Sequence, residues 1–254
     1  MNKQAARPRV ISVQFPQPEL PGVLPQKVYR AEKRDSQPAR SRTRMVPPAE
    51  TVKLQDRLFY LLQPSLESLL ASGSMHLPFH PFPYQFDGVA FLYPRYSAVL
   101  ADEMGLGKTM QAITAMRLLL HAGQIRRVLL VCPKPLVTNW QREFGLWAAE
   151  LPLNVVSGNS AERAWKWQQS NAIITIANYE LVQRDRDTLG AGKGVEFDLV
   201  VLDESQRIKN RSGATASAVC SISRQRSWAL TGTPVENSAD DLVGIFEFVA
   251  PGQL

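Results

Sequence analysis

The stretch LADEMGLGKTMQA, residues 100–112, joins an apolar run to a Gly-Lys-Thr turn and then to a helix-like pattern. A turn of this kind, set between a strand and a helix, presents backbone N–H groups to phosphate oxygens, with the positive end of the helix dipole behind them. The general phosphate-loop pattern wants a further glycine five residues before Gly107, and Asp102 stands there instead. Gly105 and Gly107 can still form the turn. Lys108 would then reach the β- and γ-phosphates as a point charge, and the Thr109 hydroxyl would ligate Mg2+.

Working outward, short apolar runs from residue 96 onward (YSAVL, RRVLLVC, LNVVS, AIITIA, FDLVVLD and SWALTG) alternate with helix-patterned segments such as TMQAITAMRLLLHAG, which stops at Gly123. That alternation predicts an α/β fold, a mainly parallel sheet with helices on both faces. Ligands in such sheets collect at the carboxyl ends of the strands. Four polar clusters fall at those ends: ADEMGLGKT, CPKPLVTNW, LDESQ and LTGTP. In the third, Asp203 is placed to hold Mg2+ and Glu204 to orient and deprotonate an attacking water.

The whole chain has 254 residues and a formal charge of +6. That charge lies entirely in the first 50 residues, where ten Lys and Arg face four Asp and Glu; the remainder balances, and its net charge gives no argument for a nucleic-acid partner. Residues 1–48 are rich in proline, poor in large apolar residues and basic, the composition of a disordered tail. Residues 49–78 carry two short helical patterns, AETVKLQDRLFYLL and SLESLLAS, expected to pack on the main domain. The two cysteines, Cys132 and Cys220, lack disulfide-framework or zinc spacing, which implies a reducing compartment. With no apolar leader and no membrane-length apolar run, a soluble intracellular protein is expected.

DEMGLGKT with Asp102, LDESQRIKN and LTGTPVEN together resemble the Swi/Snf-type ATPases, the DNA translocases of helicase superfamily two. The similarity runs from about Phe79 to the end of the chain, so residues 79–254 are expected to form a first RecA-like ATP-binding lobe. The departure at Asp102 is itself the form this family uses. PYQFDGVAFL is similar to the family's adenine-reading motif, which implies Tyr84 and Gln85 at the base; an amide can pair with both the donor and the acceptor edge of adenine. CPKPLVTNWQREF and IANYELV resemble two motifs that contact the DNA backbone, with Lys134, Thr138, Asn178 and Tyr179 as candidates. Trp140, on a helix that must cover the sheet, is better explained by core packing. Thr231, Gly232 and Thr233 match the motif that couples nucleotide state to DNA movement, whereas Asn237 is expected to be a helix N-cap or a purely structural residue.

Two departures qualify what the resemblance implies. The family's DEAH or DEGH is Asp203-Glu204-Ser205-Gln206 here, and Gln206 cannot become charged. The family's ATPase also needs a second similar lobe carrying arginines for the γ-phosphate, and this chain stops where the first lobe ends. The resemblance therefore implies ATP and Mg2+ as ligands, with double-stranded DNA and a second RecA-like lobe as partners. It also implies a fragment or half of a split enzyme that is inactive alone. A non-hydrolysing nucleotide-binding module, or the lobe of a strand-separating helicase or restriction-type motor, remain as alternatives. The tail lacks a compact Lys/Arg block of the nuclear-import type, which points to a cytoplasmic, nucleoid-associated protein, or a nuclear one in a eukaryote.

Overall fold

A computed structural model describes residues 77–169, 171–190, 195–233 and 240–252. The expected tail, nearly all of the expected accessory helices and Asn237 lie outside the described residues. All six apolar runs form strands: β1 (Ser97–Leu100), β2 (Val128–Cys132), β3 (Leu153–Val155), β4 (Ile174–Asn178), β5 (Glu196–Leu202) and β6 (Ser223–Leu230). They make one sheet in the order β1-β6-β5-β2-β4-β3, and every pairing is parallel.

Side chains alternate across a strand, so consecutive residues of a central strand serve different cores. Val128, Leu130 and Cys132 of β2 face one core with Leu199 and Val201 of β5; Leu129 and Val131 face the other with Val200 and Leu202. The first face is covered by α1 (Pro83–Leu92), α2 (Lys108–His121) and α3 (Val137–Trp147) through Leu92, Ile113, Met116, Trp140 and Phe144. The second is covered by α4 (Ser160–Trp167), α5 (Tyr179–Arg184), α6 (Arg186–Leu189), α7 (Ala214–Cys220) and α8 (Asp240–Val249) through Trp167, Tyr179, Val182, Leu189, Val219, Ile245 and Phe248. Burial on both faces is what makes β2 and β5 read as unbroken apolar runs.

The helix ends follow local chemistry. Gly123, at φ 65°, supplies the left-handed residue that stops α2, as expected. Asn159 and Glu162 cap the start of α4 reciprocally. Helix α8 comes close to the segment that follows β5. A Cβ on Gly244 would overlap the Ile208 carbonyl oxygen and stand 2.8 Å from that of Lys209. The carbonyls at the far end of α8 are tied down as well: Arg224 donates to Phe248 O (2.6 Å) and Ser97 Oγ to Val249 O (2.7 Å).

Candidate nucleotide site

Because all six strands run the same way, the polar clusters after β1, β6, β5, β2 and β4 lie along one edge in that order. Leu100 pairs with Leu230, so the phosphate loop and the Thr231 turn leave the sheet side by side.

Gly105 (φ 86°) and Gly107 (φ 79°) are both left-handed, and Gly107 stands at the N-cap of α2 with no side chain to satisfy its first N–H groups. That leaves them free for an anion. Lys108 Nζ donates to the carbonyls of Asp102 (2.7 Å) and Glu103 (2.9 Å), curling back over its own loop. Burial lowers its pKa, against the pull of the Asp102, Glu204 and Asp203 carboxylates. Thr109 follows on the first turn of α2, half-buried.

The structure gives Asp102 a reason to replace glycine. Its Oδ2 accepts from Gln111 Nε2 (3.2 Å), and the same nitrogen reaches Leu106 O (3.1 Å), so one amide of α2 braces both ends of the loop. Gly88 of α1 makes room for that amide, since any Cβ there would overlap it. Gln111 is a site residue that the motif spacing did not single out.

Gln85 lies against the loop as well. Its Oε1 accepts from Phe82 N–H (3.0 Å), its Nε2 donates to Leu106 O (3.3 Å), and a Cβ on Gly107 would stand 2.5 Å from that nitrogen. One amide hydrogen and one oxygen lone pair remain for a base. Tyr84 stacks on Phe82 with ring centroids 5.7 Å apart and planes 5° from parallel, which adds exposed Phe82 to the expected pair.

After β5, Asp203 is 9% exposed and held on three sides. Its Oδ2 accepts from Trp140 Nε1 (2.7 Å), its Oδ1 from Glu204 N–H (3.0 Å), and its carbonyl from Tyr179 OH (2.7 Å). Burial raises its pKa, opposed chiefly by the Trp140 hydrogen bond. Glu204 is left-handed at φ 49°, a conformation that costs a non-glycine residue roughly 1 kcal/mol or more. Gln206 Nε2 donates to Glu204 Oε2 (2.8 Å), while Gln206 Oε1 accepts from Thr231 Oγ1 (2.9 Å). Thr231 Oγ1 in turn accepts from Thr233 N–H (3.1 Å). The uncharged amide thus bridges the acidic turn to the Thr-Gly-Thr turn. Ser205 is fully buried, and its hydroxyl finds no partner among the described residues. Gly232 completes the convergence: a Cβ there would stand 2.7 Å from Met104 Cγ and 3.7 Å from Lys108 Nζ.

The four expected DNA contacts divide. Lys134, in a short 3-10 turn after β2, and Thr138, on the first turn of α3, are exposed. Asn178 turns inward, its Oδ1 capping α5 by accepting from Leu181 N–H (2.9 Å). Tyr179 is buried, with its hydroxyl on Asp203 and its pKa raised well above normal, mainly by burial. The Tyr179 hydroxyl is thus committed to the interior, as is the Asn178 amide oxygen. Trp140 packs in the core as expected, and also reaches the acidic turn.

The donor set fits a Mg2+-nucleotide. A carboxylate and a hydroxyl are hard oxygen ligands, and Mg2+ characteristically takes one or two carboxylates plus phosphate oxygens and water. Each Asp203 carboxylate oxygen accepts one hydrogen bond and keeps lone-pair capacity. Among the described residues no group of three His, Cys, Asp or Glu gathers as an all-protein metal cage.

Residues 84–254 match the SNF2-related domain family. The chain is 36% identical over 188 residues to the DNA repair and recombination protein RAD54B of Gallus gallus, covering 68% of this chain and 20% of that protein. It is 30% identical over 178 residues to the ISWI chromatin-remodeling complex ATPase ISW1 of Saccharomyces cerevisiae, covering 66% and 16%. Among solved structures, the Sulfolobus solfataricus SWI2/SNF2 ATPase core in complex with dsDNA superposes with a TM-score of 0.63 at 31% identity, over 70% of this chain and 37% of that one. The matched region is about a fifth of the length of the first of these relatives.

Proposed function

We propose, because the chain belongs to the SNF2-related domain family, that it is the ATP-binding lobe of a Swi/Snf-type ATPase that moves on double-stranded DNA. The observation that carries this reading is the convergence of the phosphate loop, the acidic turn and the Thr-Gly-Thr turn around Lys108.

In this reading Lys108 leaves its two loop carbonyls for the β- and γ-phosphates, and the N–H groups of Gly107, Lys108 and Thr109 hold the same oxygens. Thr109 and Asp203 would hold Mg2+, which would supply positive charge to the phosphate oxygens. Phe82, Tyr84 and Gln85 take the base by stacking and by the two hydrogen-bonding positions left on the amide. Glu204 orients a water and accepts its proton on the carboxylate, while Gln206 fixes that carboxylate from one side. The Gln206-Thr231-Thr233 chain passes a change at Glu204 to the Thr-Gly-Thr turn. Lys134 and Thr138 meet the DNA backbone. Asn178 and Tyr179 shape the neighbouring loop from within. A second RecA-like lobe, not among these residues, supplies the arginines for the γ-phosphate. The protein works at DNA, and no helix among the described residues is long and apolar enough to cross a membrane.

Calorimetric titration tests the premise. Mg-ATP binds the wild-type chain, and Lys108→Ala, which removes charge-assisted bonds worth roughly 1.5 to 3 kcal/mol, weakens binding by about tenfold or more. Equal affinities would remove the phosphate-loop assignment.

A further inference from the structure

Asp203 is reached from two elements that lie beyond the nucleotide turns. Trp140 comes from α3, after β2, and Tyr179 opens α5, after β4. Both are essentially excluded from solvent, at 0% and 2% exposure. Packing alone does not account for their polar atoms: a phenylalanine would give the same ring at Tyr179, and at Trp140 the indole N–H adds a buried donor to the apolar ring system. A buried indole N–H must still find an acceptor. This one ends on Asp203 Oδ2 at 2.7 Å, in the range of a charge-assisted bond. Its helix also displays Thr138 at the surface, directly after the 3-10 turn that displays Lys134.

We propose that Trp140 is a positioning residue for the Asp203 carboxylate: its indole N–H fixes Oδ2, so that the carboxylate keeps one orientation toward Mg2+ and the place of the loop after β2 is felt at the metal site. The proposal rests on the nucleotide-site reading above. Tyr179 supports the same residue from the main-chain side, through Asp203 O. The two donors on the carboxylate itself, Trp140 Nε1 on Oδ2 and Glu204 N–H on Oδ1, leave it little rotational freedom. Trp140→Phe removes the indole N–H and releases Oδ2; it also leaves a cavity where the larger indole stood, and the chelator arm below reports whether that packing loss reaches the nucleotide.

The test uses the 254-residue chain and a fluorescent ADP, with Mg2+ titrated in one arm and chelator present in the other. Trp140→Phe is expected to weaken the apparent Mg2+ affinity by about tenfold or more, as loss of a partner behind a metal ligand does. Binding in chelator should stay unchanged. Wild-type Mg2+ dependence in the variant overturns the proposal, and so does an equal loss in both arms, which marks a purely structural residue. If the variant does not fold, the wild-type indole resonances decide. The Trp140 N–H signal should move when Mg2+ is added to the ADP-bound chain. Those of Trp167, bonded to Asp185 Oδ2, and Trp228, bonded to Arg95 O, should not. A stationary Trp140 signal overturns the inference. Failure of the nucleotide-site reading is distinct: wild type would then show no Mg2+ dependence and no effect of Lys108→Ala.

Discussion

The edge of the sheet divides at β5. Toward β1, the turns after β1, β6 and β5 bring their functional groups together, and Gly232, Met104 and Lys108 are in near contact. Toward β3, the segments after β2 and β4 contribute as much to the interior as to the surface: Lys134 and Thr138 face out, while Asn178 and Tyr179 face in. Both halves are motif-bearing to the same degree. A motif thus identifies a loop, and the direction of each side chain within that loop is decided by what needs a hydrogen bond nearby. At the nucleotide half the unmet groups are the N–H groups of a helix start. At the other half they are Leu181 N–H and the Asp203 carbonyl, which draw two polar side chains inward.

The largest expected effect would sharpen this contrast. If the nucleotide half is complete in itself except for a γ-phosphate arginine, the chain alone turns over ATP about 10³- to 10⁵-fold more slowly than with a matching second lobe and double-stranded DNA. Glu204→Gln should abolish the regained phosphate release and leave ATP binding intact. Robust hydrolysis by the chain alone that disappears in Glu204→Gln would break the account.

The two halves should also differ in what a single truncation costs. Lys134→Ala removes one phosphate contact and lowers the salt slope of DNA binding by about 0.9. Asn178→Ala removes a cap and costs about 1 kcal/mol of stability, leaving that slope alone. Salt-dependent binding isotherms beside denaturant melts separate the two. A slope change from Asn178→Ala would put that side chain at the surface after all.

A smaller effect concerns pH. Burial raises the Asp203 pKa in the folded state, so between the unfolded and folded values the native state holds the proton more often. Stability therefore falls as pH rises through that window, the sign expected when the native state binds more protons. Asp203→Asn should remove this part of the slope, read from denaturant midpoints across a pH series. The smallest signal is chemical. Cys132, fully buried at the end of β2, has its thiol pushed up to about 12, mainly by burial and further by Asp203. It should resist alkylation in the native chain far better than in denaturant. Fast native labelling of Cys132 would show that the seam between the halves opens.

Much of this was legible in the order of residues. Period and apolar runs located all six strands, and the Gly-Lys-Thr, Asp-Glu and Thr-Gly-Thr turns located the edge. Other features depend on neighbours distant in the chain. Gln111 is an ordinary amide in a helix until Gly88 of another helix makes space for it beside Asp102. Trp140 carries no sequence mark that distinguishes packing from a bond to a residue 63 positions away. Glu204's left-handed backbone arises from a turn whose next residues fold into a 3-10 segment, Ser205–Ile208, and propensity gives no hint of it.

The seat of α8 has a mechanical side. At Gly244 the helix rests on the carbonyl oxygens of Ile208 and Lys209, main chain upon main chain, with no side chain between to act as a cushion. Side-chain layers yield by changing rotamer, whereas a backbone seam at van der Waals distance has no such compliance. The contact lies two residues beyond Gln206, so any side chain at position 244 would have to push apart the main chains of α8 and of the segment that carries the acidic turn.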